Sequence, residues 1–65
     1  MTNTELMDEA RHYVAVVNGP ANGWGQHLCP KTGVQSHVLL HRITQKWGTT
    51  EGNAAVDLAF QEAKQ

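Results

Sequence analysis

The chain has 65 residues, of which 40% are hydrophobic, and five Lys/Arg against six Asp/Glu give it a formal net charge of −1. This length predicts a single domain over residues 1–65. A domain this small buries only about 60% of its unfolded-chain surface, so we expect reinforcement by a bound metal, self-association or close helix packing. The balanced charge excludes the strongly basic field that drives binding to nucleic-acid phosphates.

The sequence also predicts where the protein works. No apolar run approaches the roughly 18 residues that span a bilayer, and the N-terminal segment MTNTELMDEAR is polar and acidic. Cys29 is the only cysteine, so no disulfide can form within the chain, which suits a reducing compartment. We therefore expect a cytoplasmic protein.

Residues 2–17 have the spacing of an amphipathic helix. Thr2 and Glu5 stand at the spacing of a capping box, and NGP at 18–20 is a stop signal. The apolar stripe of this helix consists of Leu6, Ala10, Tyr13, Val14 and Val17.

The same segment supports a second interpretation. YVAVV, residues 13–17, is rich in β-branched side chains, and the turn formers NGPANG follow it. This alternative predicts an α+β fold with a short hairpin around residues 13–29.

Residues 18–33 contain four glycines and both prolines and show no periodicity, so they are predicted to be a long loop. Unstructured connections beyond about 12 to 15 residues are uncommon in compact domains and are usually functional or disordered. Trp24, Leu28 and Cys29 are poor residues for a disordered linker. We therefore expect the loop to be pinned to the body of the protein.

Two further helices follow. The first is predicted over residues 33–47. Thr32 and Gln35 stand at capping-box spacing at its start, and Gly48 ends it. Residues 50–64 begin at Thr50 as the N-cap. The core faces are Leu39, Leu40, Ile43 and Trp47 on the first of these helices and Ala55, Val56, Ala59, Phe60 and Ala63 on the second. The predicted fold is all-α: three helices with a long Gly/Pro-rich loop between the first two.

The segment 27–41 carries the chemistry that the sequence offers. His27, Cys29, His37 and His41 form the pattern H-x-C-x7-H-x3-H. Two histidines at i and i+4 share a helix face, and His and Cys suit tetrahedral zinc. The pattern predicts a CysHis3 structural zinc site, provided that the loop folds back onto the helix. The alternative is that surface histidines coincide and that Cys29 is a small buried apolar side chain.

Catalysis is not expected. A nucleophilic Cys29 would need an oriented base, oxyanion donors and a cleft, and a three-helix domain of this size offers little concavity. We interpret the cysteine as an unreactive thiol and the protein as a non-enzyme.

Nucleic-acid binding is a weaker alternative. In a helix-turn-helix arrangement the last helix would carry Glu51, Asp57 and Glu62 against Lys64 alone, which would repel phosphates. A better surface for nucleic acid is the polar side of helix 33–47. Its candidate residues are His37, His41, Arg42, Gln45 and Lys46.

Protein binding is the interpretation that we favour. Trp24, in the glycine-flanked stretch NGWGQ, is either an exposed anchor for a partner or a plug for the small core. Stand-alone domains this short are often regulators, adaptors or inhibitors, including those of phages and mobile elements. We expect such a protein to bind a protein partner through loop 18–33 and the polar face of helix 33–47, with Trp24, His37, His41, Arg42, Gln45 and Lys46 in contact.

Overall fold

The computed structural model describes residues 4–29 and 31–64, which form three α-helices. They are α1, Thr4–Asn18; α2, Ser36–Trp47; and α3, Thr49–Lys64. The predicted all-α class is confirmed. Within the described part of the chain the extended backbone is limited to one isolated antiparallel bridge, between Leu28 and Gln35.

The α+β alternative with a hairpin at 13–29 is wrong. Residues 13–17 continue α1, with Val14 and Val16 buried. The β propensity of the YVAVV run is a preference worth tenths of a kcal/mol per residue, whereas burying one valine side chain contributes about 1.5 kcal/mol or more. Burial against the other helices therefore decides the conformation of this segment.

The main core lies where the three helices meet. Its buried residues are Leu6, Ala10, Val14, Ile43, Ala55, Val56 and Ala59. Tyr13 and Phe60 pack on this cluster edge-to-face, with ring centroids 6.2 Å apart. Trp47 also packs against it, as its position on the apolar face of α2 predicts. Close helix packing thus supplies reinforcement of the kind that the small size requires.

A second buried cluster attaches the long loop to the helices. Val16 of α1, Cys29 of the loop and Leu39 of α2 pack together, with Val34 partly buried beside them. The loop thus packs on the body of the protein at Cys29, whereas Trp24, from which the same expectation was drawn, is exposed. The predicted stripe of α1 is corrected at its end, because Val16 is buried and Val17 only half-buried.

The start of α2 also differs from the prediction. The helix begins at Ser36, and Gln35 is its N-cap without a side-chain capping hydrogen bond, so the capping box of Thr32 and Gln35 is wrong. The Cys29 N–H donates to the Val34 carbonyl at 2.9 Å, and the Gly33 N–H donates to the Cys29 carbonyl at 2.7 Å. These bonds commit the backbone groups of Cys29, Gly33 and Val34 to a turn, so α2 starts only after them.

The other two helix starts are simpler. The α3 helix begins at Thr49, so Thr50 lies inside its first turn and is not the N-cap. The capping box predicted from Thr2 lies outside the described residues.

Gly48 alone connects α2 to α3. Its φ of 94° lies in the region that L side chains rarely adopt, so glycine is required here. Its N–H donates to the Thr44 carbonyl at 2.9 Å, and its own carbonyl accepts from the Gly52 N–H at 2.8 Å. The prediction that α2 ends at Gly48 is confirmed. Among the described residues, no helix has the length and apolar character to cross a bilayer.

Candidate binding surface

Trp24 lies at an ordered loop tip and is 88% exposed, so it is not the core plug that the sequence left open. The Asn22 side-chain oxygen accepts the backbone N–H groups of Trp24 and Gln26, both at 2.9 Å. The Asn22 N–H donates to the Gln26 carbonyl at 2.8 Å, and the Gly25 N–H donates to the Asn22 carbonyl at 3.0 Å. These four bonds close a small turn in which the indole points away from the body of the protein.

The base of this loop folds back onto the start of α2. The Ser36 N–H donates to the His27 carbonyl at 3.0 Å. The His27 ring donates from Nδ1 to the Gly19 carbonyl at 3.1 Å, which ties the two ends of the loop together. A hollow of about 170 Å³ remains between loop and helix, lined by Gly25, Gln26, His27, Gln35, Ser36 and His37.

The outer face of α2 continues from this hollow. His37, His41 and Gln45 are exposed at successive turns of the helix, and Arg42 is exposed beside them. Their predicted placement away from the core is confirmed. The helix sequence SHVLLHRITQKW has no Asp or Glu, so all of its charged side chains are basic.

A groove of about 490 Å³ lies along the C-terminal half of α2, against α1. Its lining residues are Glu9, His41, Arg42, Ile43, Gln45, Lys46 and Trp47. Lys46 forms an ion pair with Glu5 of α1, and its ammonium nitrogen lies 4.7 Å from the centroid of the Trp47 ring. The Lys46 side chain therefore links α2 to α1 at the edge of the groove.

The four predicted zinc ligands do not converge. His27 is bonded to the Gly19 carbonyl, and Cys29 is buried against Leu39 on the inner side of α2. His37 and His41 are exposed on the outer side of that helix. In the described ranges no group of three or more His, Cys, Asp or Glu side chains is placed to hold a metal ion. The loop does fold onto the helix, but it brings the thiol to the face opposite the histidines.

The surroundings of Cys29 are more polar than the sequence interpretation assumed. A hydrogen bond from the Thr32 hydroxyl, joined by the backbone N–H groups of Thr32 and Lys31, lowers the pKa of the thiol to about 7. Burial opposes this shift, and the nearby His12 adds to it. These donors belong to Lys31 and Thr32, and the cysteine-to-threonine spacing of three residues is the signal in the sequence that could have indicated them.

The surface of α3 is acidic, as the sequence predicts. Glu51, Asp57 and Glu62 are exposed, and Lys64 is its only basic residue. Glu62 pairs with Arg11 of α1, at 3.1 Å between Oε2 and Nε. This helix has the wrong charge to enter a nucleic-acid groove.

The candidate surface thus runs from the Trp24 turn, across the hollow at His37, to the groove beside Arg42. It comprises the six residues predicted to contact a partner, all of them exposed. No protein-family model, no curated protein and no solved structure matches the chain.

Proposed function

We propose that this protein is a small, non-enzymatic cytoplasmic binding protein, a regulator, adaptor or inhibitor, that acts by binding another protein. The contact surface is loop 18–33 together with the polar face of α2. The observation that carries this proposal is the 88% exposure of Trp24 on a hydrogen-bonded turn.

An exposed tryptophan on an ordered turn is well suited to binding. Trp, Tyr and Arg are the residues that most often dominate the energetics of an interface. The turn is already closed by hydrogen bonds that the Asn22 side chain accepts from the backbone, so a partner that covers the indole does not have to order the loop first. Leu58 of α3, at 51% exposure, is the other exposed large hydrophobic side chain in the described ranges.

The polar face of α2 extends the contact area beyond one side chain. Arg42 and the exposed histidines provide hydrogen-bond donors without a competing carboxylate on the same helix. Nucleic acid is the less favoured partner because α3 exposes Glu51, Asp57 and Glu62 and the whole chain has a net charge of −1. The free thiol of Cys29 is compatible with the reducing cytoplasm.

The proposal is tested by quantitative capture of partners from a lysate of the native cell. Trp24→Ala and Arg42→Ala should each reduce capture of the same protein, because each removes a side chain of the contact surface. Leu58→Ala is the matched control, since it removes an exposed apolar side chain from a different helix.

Three results would contradict the proposal. Capture that depends on Leu58 and is indifferent to Trp24 would place the interface on α3. Loss of folding in Trp24→Ala, seen by circular dichroism, would show that the tryptophan is structural. Recovery of nucleic acid, with binding that weakens steeply as salt is raised, would favour the alternative partner.

A further inference from the structure

Some cationic side chains of the protein have an ion-pair partner within the fold, and Arg42 does not have one among the described residues. Arg11 donates to both carboxylate oxygens of Glu62, and Lys46 pairs with Glu5. Arg42 makes no ion pair and no side-chain hydrogen bond with any of the described residues, although it is exposed at the side of the groove along α2. Its guanidinium therefore keeps its five N–H donors for a ligand.

The groove beside Arg42 also offers apolar surface. Trp47 lines it and is only half-buried, so part of its ring remains accessible, whereas Ile43 lies beneath the groove in the buried core. A volume of about 490 Å³ is within the usual range of ligand sites and is large enough for one large apolar side chain and a neighbouring polar group. The groove thus places an unpaired guanidinium near a half-buried aromatic ring.

We propose that this groove binds a short segment of a partner protein in which an Asp or Glu stands next to a large apolar side chain. The carboxylate pairs with the Arg42 guanidinium, an arrangement that is commonly bidentate, and His41 adds a further donor. The apolar side chain packs on the exposed part of Trp47. This inference rests on the proposed function and adds the chemistry of the partner.

Glu9 makes a polyanion a poor occupant of the same groove. Glu9 lines the groove from α1, and its carboxylate would repel the further negative charges that a polyanion brings beyond one paired with Arg42. A nucleic-acid duplex carries one negative charge for about every 1.7 Å of its axis, so it cannot place a single isolated charge in the groove. A protein segment with one acidic residue beside an apolar one supplies a single negative charge for Arg42 and an apolar side chain for the groove.

The test is a selection of random linear peptides, displayed on phage, against the immobilised full chain. The strongest peptide is then synthesised with a fluorophore, and its affinity is measured by anisotropy for the wild type, Arg42→Gln and Arg11→Gln. We expect enrichment of Asp or Glu beside Leu, Phe or Trp. Arg42→Gln should weaken binding about 10- to 100-fold, as expected for the loss of a hydrogen-bonded charge pair.

Arg11→Gln is the matched control because Arg11 is also exposed but already paired with Glu62. It should leave the affinity within about twofold of the wild type. Melting curves of both variants check that the fold is intact.

The remaining outcomes overturn the inference. Selected peptides that lack acidic residues would contradict it, and so would peptides that bind wild type and Arg42→Gln with equal affinity. If binding of those peptides is lost in Trp24→Ala, the proposed function survives. Failure to enrich any peptide also rules out this groove as a peptide site, and the capture experiment then decides the proposed function alone. Displacement of the peptide by a DNA duplex that depends on Arg42 would contradict both proposals.

Discussion

Gly52 of α3 lies directly against Thr44 of α2. A Cβ at residue 52 would lie 3.1 Å from the Thr44 methyl carbon and 3.1 Å from the Ile43 Cγ2, with the Thr44 Cα at 3.3 Å. The Thr44 side chain is held in place, because its hydroxyl lies within hydrogen-bond distance of the Leu40 and His41 carbonyls. The absence of a side chain at Gly52 therefore sets how closely α3 approaches α2.

Gly52→Ala should lower the free energy of unfolding. Overpacking a closed contact costs about 1–3 kcal/mol, and the better helix propensity of alanine returns about 1 kcal/mol, so we expect a net loss of up to about 2 kcal/mol. Urea unfolding measures it. Gly23→Ala is the control, since a Cβ there meets no atom within 4 Å, and its change should stay within about 0.5 kcal/mol. An equal or higher stability of Gly52→Ala would show that the two helices can separate without cost.

The thiol of Cys29 should make stability depend on pH. Hydrogen bonds from Thr32 and Lys31 lower its pKa from 9.0 to about 7, so the folded chain releases this proton at lower pH than the unfolded chain does. Because the unfolded state then binds more protons, the contribution of this group to stability rises between about pH 7 and pH 9 and is lost as the pH falls through 7. Melting temperatures across this range, compared with Cys29→Ala, isolate the effect.

The cause of the shift can be tested separately. Thr32→Val removes the hydroxyl that makes the largest contribution, so the thiolate absorbance should titrate at higher pH than in the wild type. Thr50→Val changes an exposed threonine of α3 and should leave the titration unchanged. Identical titrations of the wild type and Thr32→Val would assign the shift to another group.

The two tryptophans should differ in their access to solvent. Trp24 is 88% exposed, whereas Trp47 is half-buried beneath Lys46. Acrylamide should therefore quench the fluorescence of Trp47→Phe, in which only Trp24 remains, more strongly than that of Trp24→Phe. The stability of Trp24→Phe should change by less than about 0.5 kcal/mol. Equal quenching would mean that the loop packs onto the protein in solution.

The predicted zinc site should not contribute to stability, because His27 and Cys29 do not converge with His37 and His41. Chelator or added zinc should leave the melting temperature unchanged, and so should a variant combining His37→Ala with His41→Ala. His27→Ala should instead cost about 1 kcal/mol, since it removes the hydrogen bond to the Gly19 carbonyl. A melting temperature that drops with chelator and with the double variant would restore the zinc site.

The histidines show which part of the candidate site can be predicted from helical periodicity. His37 and His41 can be assigned to the outer face of a helix from the positions of Leu39 and Ile43 alone, because side chains on a helix repeat every 3.6 residues. The same reasoning cannot follow residues 18–33, whose path depends on specific bonds such as that between His27 and Gly19. The side of α2 on which Cys29 lies could therefore not be predicted from the sequence.

The sequence by itself determined the number of helices, their approximate limits and the residues that face outward on α2. These follow from local periodicity and from glycines such as Gly48. Only the tertiary structure decided that α2 starts at Ser36, that Val16 rather than Val17 is buried, and that Trp24 is exposed. The reason is physical: the cluster of Val16, Cys29 and Leu39 brings together residues far apart in the chain, and no local pattern records such contacts.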